Sequence, residues 1–420
     1  MITSLFFMWG FVQNLDPILI PHLRRSFRLS VLQSSLVDSA VFIGYFLMAL
    51  PAGFLIRKAG YKRAIIVGLL LFATGSFLFI PASDTHQYMV FLAALFIIAC
   101  GLAILETAAN PYASLLGAPE RATERLNLAQ SFNGLAATLA PIIGARVILV
   151  QGPSDRDLAA MSVGMRKAAL AVEAASVKGP YIVLGLIILL IAVVFYFLEL
   201  PEIGTASKAG TERVRRSIGQ ALRVSQIRRA VIAQFFYFGA QVCVFSFFIL
   251  YAVKAAGVSH VLAADYLGWG CGTAFMIGRF AGTFLMRFVA PARLLLMYAL
   301  TCSGLSIVAM LAQGMICLMA VIGIAFFMSI MFPTIFSLGI RGAGAHTEMG
   351  SSLIIMSIVG GALLPLLFGY ISDLTHDVQF GYVVPLLSFL VIGWFARSAL
   401  LDSRKAAAST LIDNGVMNRV

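Results

Sequence analysis

Glu106 stands in the block Leu105-Glu106-Thr107-Ala108-Ala109-Asn110-Pro111, late in an apolar run that opens near Tyr88 and is long enough to cross a bilayer. A carboxylate at that depth costs several kcal/mol to desolvate unless it is protonated, paired or facing water, so by default it marks a pathway. Low dielectric brings carboxyl titration toward physiological pH, which suits an acid that is charged and neutral by turns. Asn110 lies one turn later on the same helix face, so one ligand hydroxyl can bridge the two side chains. The alternative role for Glu106 is structural, as a polar tie to a neighbouring helix.

Further polar residues recur at helical spacing within apolar segments. Gln130 and Asn133 stand three apart, with Asn127 one step back, and form a stripe of amides that both donate and accept. Such groups suit neutral hydroxyls better than ions, although inter-helix bonds of about 0.6 kcal/mol each are the other use for them. Asn127, nearest the chain connection, is read as such a bond. Gln234, Tyr237 and Gln241 are spaced three and four apart, a polar and aromatic stripe fit for a ligand with an apolar C–H face and a hydroxyl rim. Tyr237 equally fits an aromatic belt at a membrane interface. Arg279, in Gly278-Arg279-Phe280-Ala281-Gly282, needs a partner that the sequence does not name, and it is left out of the binding set. His22, His346 and Asp373 fall near the ends of apolar runs and read as solvated boundary residues.

What must position these groups is set by composition. The 420 residues are 60% hydrophobic and 11% charged, against roughly 25% charged in soluble domains. With a mean hydropathy of +0.96, the chain reads as an integral membrane protein. Spans are predicted near 2–21, 35–56, 64–81, 88–116, 127–150, 179–199, 230–252, 262–286, 293–312, 315–338, 349–371 and 380–400. A basic interruption over 200–229, which carries Lys208, Arg213, Arg215, Arg216, Arg223, Arg228 and Arg229, divides these into two sets of six. The resulting organisation is an N-terminal half over 1–199, a cytoplasmic linker over 200–229, a C-terminal half over 230–400 and a cytoplasmic tail over 401–420.

With both termini inside, twenty of the 30 basic residues fall on inner segments, eight on outer segments and two, Arg146 and Arg279, within spans. The positive-inside rule favours that orientation and accounts for the net charge of +12 without a nucleic-acid partner. Arg24, Arg25 and Arg28 break the rule. Either a preceding inner leader is missing or these arginines serve the outer mouth. Met1 to Leu23 is too long an apolar run for a signal peptide, lacks a basic leader, and contains Asn14, Asp16 and Pro17, so it reads as a retained first span. All five cysteines lie in predicted spans without CxxC or Cys/His spacing, which gives no expectation of a disulfide framework, metal or cofactor. No HExxH, GxSxG or convergent His/Cys/Asp set supports an enzyme.

The two halves echo each other. Asn110-Pro111 is followed by Gly117 and Phe332-Pro333 by Gly339, six residues from proline to glycine in both, and Pro141 with Gly144 matches Pro365 with Gly369 loosely. Gly53 through Arg63 resembles the loop motif Gly-x-x-x-Asp-Arg-x-Gly-Arg-Lys of major facilitator transporters, with Arg57 in the usual Asp position. Positive-inside charge explains the basic residues but not both glycines. Such transporters bind substrate between parallel repeats near mid-membrane.

Phe6-Phe7-Met8-Trp9-Gly10, Asn14-Leu15, Ile18-Leu19-Ile20-Pro21, the Glu106 to Pro111 block, Leu126-Asn127-Leu128-Ala129-Gln130-Ser131-Phe132-Asn133, Ala233-Gln234, Gly239-Ala240-Gln241 and Pro333 to Gly339 together resemble the fucose–galactose–glucose:proton symporter family. The resemblance covers both halves. It implies an all-α major facilitator fold of twelve transmembrane helices in two pseudo-symmetric six-helix halves. It also implies import of a neutral monosaccharide, L-fucose or a related hexose, together with a proton. Glucose, galactose and N-acetylglucosamine carriers share much of the pattern, and a non-transporting sugar sensor is the alternative of another class. Glu106 corresponds to the family's substrate- and proton-linked glutamate. The family's first-span acid directly precedes Ile-Leu, where this chain has Pro17, so its proton-transfer role comes to Asp16 one residue early, about 100° around a regular helix. A proline kink would bring Asp16 back toward the cavity, and a bonded helix-break residue is the other reading. The substrate set is then Glu106, Asn110, Gln130, Asn133, Gln234, Tyr237 and Gln241, the proton set Glu106 and Asp16. The protein is expected in a bacterial cytoplasmic membrane, working as a monomer.

Overall fold

The computed structural model describes residues 2–15, 19, 23, 26–27, 31–147, 160–199 and 218–417. Every regular element among them is helical, with no strand. Backbone groups in hydrocarbon must be satisfied internally, and a helix does so within one segment. Asp16, Pro17, His22, Arg24, Arg25 and Arg28 lie outside the described residues, as does 200–217 of the basic interruption.

The chain opens with α1 (Ile2–Gln13) and then α2 (Val31–Phe77), which holds a single non-helical residue, Gly60 at φ 83° and ψ 168°. Ala40–Thr85 is one apolar stretch of 46 residues. At 1.5 Å per residue it would run to roughly 70 Å, about twice a hydrocarbon core, so it contains two spans turned at Gly60. The predicted loop from Gly53 to Arg63 is thereby reduced to one glycine, and Arg57, within the helix, lays its guanidinium 5.0 Å from the Phe54 ring centroid. Beyond Leu78, α3 (Phe79–Thr85) extends the third span to a left-handed His86.

Then follow α4 (Tyr88–Leu115), α5 (Ala122–Val147), α6 (Val163–Ala175) and α7 (Lys178–Phe197). The sequence reading has no counterpart to α6, an alanine-rich helix of 13 residues that is too short to register as a span. After α8 (Ile218–Arg223), α9 (Ser225–Ser246) breaks at Phe247 and continues as α10 (Phe248–Ala256). Residues 218–229, assigned to the linker by charge, are thus largely helical.

The seventh span leads through α11 (His260–Asp265) and a π-helical turn at Tyr266–Gly272 into α12 (Thr273–Leu285). Next come α13 (Pro291–Leu311), the pair α14 (Met315–Met328) and α15 (Met331–Ile340), the pair α16 (Thr347–Met356) and α17 (Gly360–Thr375), and α18 (Val383–Met417). The last helix runs past residue 400, where hydropathy ends, because Lys405-Ala406-Ala407-Ala408 keeps strong helix propensity.

Chain contacts gather two compact units. The first contains Met1–Leu116, Phe132–Val214 and Ser351–Met356; the second contains Gly117–Ser131, Arg215–Gly350 and Ser357–Val420. Within the first, α2 and α4 meet backbone to backbone, since a Cβ on Gly101 would lie 2.7 Å from the Gly68 carbonyl oxygen. Small residues are what let membrane helices approach so closely. The rings of Phe79 and Tyr181 stack at 3.7 Å and tie α3 to α7. In the second unit, Thr123 and Ser337 hydroxyls share a hydrogen bond at 2.9 Å, and Asn127 Nδ2 donates to Thr334 Oγ1 at 3.2 Å. Leu186, Leu190 and Phe197 of α7 and Leu366 of α17 are exposed, as side chains in contact with lipid would be.

Candidate functional site

Helix α4 is buried almost throughout from Phe91 to Ser114, and Glu106 and Asn110 lie on it at 4% and 0% exposure. Nothing about an apolar helix requires an acid there. Tyr45 of α2, itself buried, is the polar side chain that approaches the Glu106 carboxyl. Glu106 Oε2 accepts no hydrogen bond from the described residues, so the acid has acceptor capacity to offer a ligand or water. Pro111 follows in the same helix and has no N–H for the carbonyl four residues earlier, Thr107. Ser351 Oγ donates to that oxygen at 3.1 Å.

Asn133 lies in the same compact unit. It is half-buried and packs directly against Gly10 of α1, where a Cβ would come within 2.7 Å of Asn133 Nδ2. On the same α1, the rings of Phe6 and Trp9 lie with centroids 5.0 Å apart.

In the second unit Gln130 is 3% exposed, and its backbone oxygen accepts Arg279 Nη1 at 2.8 Å. Asn127 bonds the Thr123 carbonyl at 2.9 Å as well as Thr334, the inter-helix role its sequence position suggests. On α9, Gln234 and Tyr237 are completely buried, whereas Gln241 is half-buried. Both the Nε2 and the Oε1 of Gln234, and the hydroxyl of Tyr237, have no hydrogen-bond partner among the described residues. Buried amides are almost always bonded, so three vacant polar atoms one helical turn apart mark a place where a polar ligand or water belongs. Complete burial of Tyr237 is unlike a belt tyrosine, whose hydroxyl meets headgroups. Its ring lies 6.4 Å from that of Phe332.

Arg279, 4% exposed, is held by two backbone oxygens, Ser329 through Nε at 2.9 Å and Gln130 through Nη1 at 2.8 Å, and by the Phe275 ring 4.6 Å away. Main-chain oxygens carry no residue type, so these partners leave no mark in the sequence. Tyr45 and Ser351 were also missed, since neither interrupts its apolar segment as an acid does. Among the described residues no three His, Cys, Asp or Glu side chains gather as a metal site would require.

The sequence matches the family model described as Major Facilitator Superfamily over residues 1–365. This chain belongs to the major facilitator superfamily. It is 40% identical over 402 residues to the L-fucose-proton symporter of Escherichia coli K12, covering 94% of this chain and 92% of that protein. It is 38% identical over 396 residues to a glucose/galactose transporter of Brucella abortus, with coverage of 94% and 92%. Among solved structures, the superfamily transporter FucP in the outward conformation matches with a TM-score of 0.88 and 39% identity over 95% of this chain and 97% of that one. The human organic anion transporter MFSD10 shares the fold alone, at 14% identity and a TM-score of 0.65 over 94% of this chain and 98% of that one. This major facilitator protein is therefore a membrane-integrated carrier type and not an enzyme.

Proposed function

We propose that the protein is a proton-coupled secondary transporter that imports a neutral monosaccharide, L-fucose or a related hexose, by alternating access. The observation that carries this reading is the buried Glu106 carboxyl with an unfilled acceptor, in a chain 40% identical to an L-fucose-proton symporter. A buried acid accepts a proton on one side of a membrane and releases it on the other when hydration and ligand contacts change around it.

Glu106 in its neutral form and Asn110 take one edge of the sugar, and the amides of Gln130 and Asn133 take further hydroxyls. Gln234, Tyr237 and Gln241 meet the ring face and its rim. The vacant polar atoms of Gln234 and Tyr237 support this assignment, because a hydroxylated ligand satisfies donors and acceptors at once. Asp16 serves as the relay to Glu106. The carrier works as a monomer in a bacterial cytoplasmic (inner) membrane with both termini cytoplasmic. Its halves span 1–199 and 230–400, joined by the 200–229 linker and followed by the 401–420 tail.

A second reading, a glucose or galactose carrier, is favoured by the 38% identity to the Brucella transporter. Purified protein in liposomes with an inward proton gradient, offered labelled L-fucose against D-galactose, D-glucose and N-acetylglucosamine, separates the two. Gradient-driven accumulation of one sugar with competition by the others in order of affinity is expected. Absence of gradient-responsive uptake of every sugar overturns the proposal, and equilibrium binding without counterflow would make the protein a sensor.

A further inference from the structure

Two prolines at corresponding places in the halves each leave a carbonyl without its helical donor. In an α-helix the oxygen of residue i accepts from the N–H of i+4, and proline has none. Pro111 therefore frees the oxygen of Thr107, next to Glu106, and Pro333 frees that of Ser329. Unsatisfied backbone oxygens are costly in a membrane interior, so each needs another donor. Both have one, from a side chain far along the sequence: Ser351 Oγ on Thr107 at 3.1 Å, and Arg279 Nε on Ser329 at 2.9 Å.

The arrangement around Arg279 is built for close approach. The tenth span is interrupted between Met328 and Met331, at the Ser329 carbonyl that Pro333 leaves without a helical donor. Gly278 lets α12 sit directly on that stretch, since a Cβ there would collide with the Phe326 oxygen. A second bond from Arg279 to the Gln130 oxygen then fastens α5 to the same point. No carboxylate among the described residues pairs with this buried guanidinium; its partners are two neutral oxygens and the face of Phe275. A cation held only by neutral groups gains when water reaches it. The clasp is therefore strong while dry and readily exchanged once hydrated.

We propose that Ser351 and Arg279 are positioning residues of the transport cycle: they clasp the two proline-freed carbonyls in the present state, and their release is part of the change of access. The inference rests on the carrier reading above, but it is tested without sugar, so its failure and that of the sugar assignment are distinguishable.

Hydrogen–deuterium exchange of the full-length protein in lipid nanodiscs reads the clasp. In Ser351→Ala, exchange should rise about fivefold, the effect of losing one hydrogen bond, in the connections over 116–126 and 338–347. It should fall at the opposite ends of the same helices, over 84–90 and 375–382. Ser351→Thr, which keeps the hydroxyl, should restore the parent pattern. Arg279→Lys, whose point charge cannot make both bonds, should shift exchange in the same two directions. A weakened fold would raise exchange at both ends together, and that result, or no change in Ser351→Ala, overturns the proposal. If Arg279→Lys does not fold, Ser351→Ala decides alone.

Discussion

Gly10 of α1 and Asn133 of α5 touch so closely that a Cβ on the glycine would lie 2.7 Å from Asn133 Nδ2 and 2.8 Å from its Cγ. The amide is thus aimed by the absence of a methyl group on a neighbouring helix. Gly10→Ala should both turn the Asn133 amide and push α1 off α5, because the Cβ would also lie 2.8 Å from the Asn133 backbone oxygen, and overpacking of this kind costs about 1–3 kcal/mol. Sugar affinity should drop by about tenfold, equivalent to 1.4 kcal/mol, together with a lower melting temperature. Binding titrations of both proteins with the transported sugar check this. Equal affinities would separate Asn133 from the ligand.

Gln234 allows the sign of a stability change to report function. Its amide is completely buried, with neither polar atom bonded among the described residues. An unmet buried amide destabilises a fold by about 1–3 kcal/mol, so Gln234→Leu, of similar volume, should raise the melting temperature. The same change should abolish sugar uptake. A structural glutamine would give the opposite result, lower stability with transport retained. Differential scanning fluorimetry beside a liposome uptake assay reads both quantities.

Much of this was legible in the sequence, and the remainder shares a physical reason. The span holding Glu106 was plain because an uninterrupted apolar run from Tyr88 to Leu115 contains a single acid. Buried placement of Gln130 and Gln234 followed from amides recurring at helical spacing. The breaks at Phe247 and at Ser329-Ile330 were not legible, since an apolar run gives no period from which a break can be seen. Pro333 was visible, but the consequence of its missing N–H depended on which distant donor reached the freed oxygen. Arg279 showed the converse, an obvious charge whose partners are main-chain atoms and so have no sequence signature.

The turn at Gly60 makes its own prediction. A Cβ there would meet nothing within 4 Å, so space is not the reason for a glycine. Its backbone is, because φ 83° with ψ 168° is a region essentially reserved to glycine. Gly60→Ala should therefore destabilise the protein by about 1–3 kcal/mol, visible as a lower melting temperature. Substituting Ala at Gly304, an in-helix glycine that also faces open space, should leave it unchanged or raise it slightly. Equal behaviour of the two variants would show that the turn tolerates side chains.

Glu106→Gln separates sugar handling from proton coupling. The amide keeps the size of the carboxyl and resembles its neutral form, so the hydroxyl contacts proposed for Glu106 and Asn110 persist while titration is lost. Counterflow, which needs sugar on both sides and no net proton movement, should continue at a rate near that of the parent. Accumulation should not. A gradient of one pH unit is worth about 1.4 kcal/mol and supports about tenfold accumulation through one-proton coupling, whereas the variant should stop at equal concentrations on the two sides. Liposomes loaded at one pH and diluted into another, with labelled sugar followed to steady state, measure the ratio. If the variant still concentrates sugar, the coupling acid lies elsewhere in the chain, and Asp16 becomes the first residue to replace.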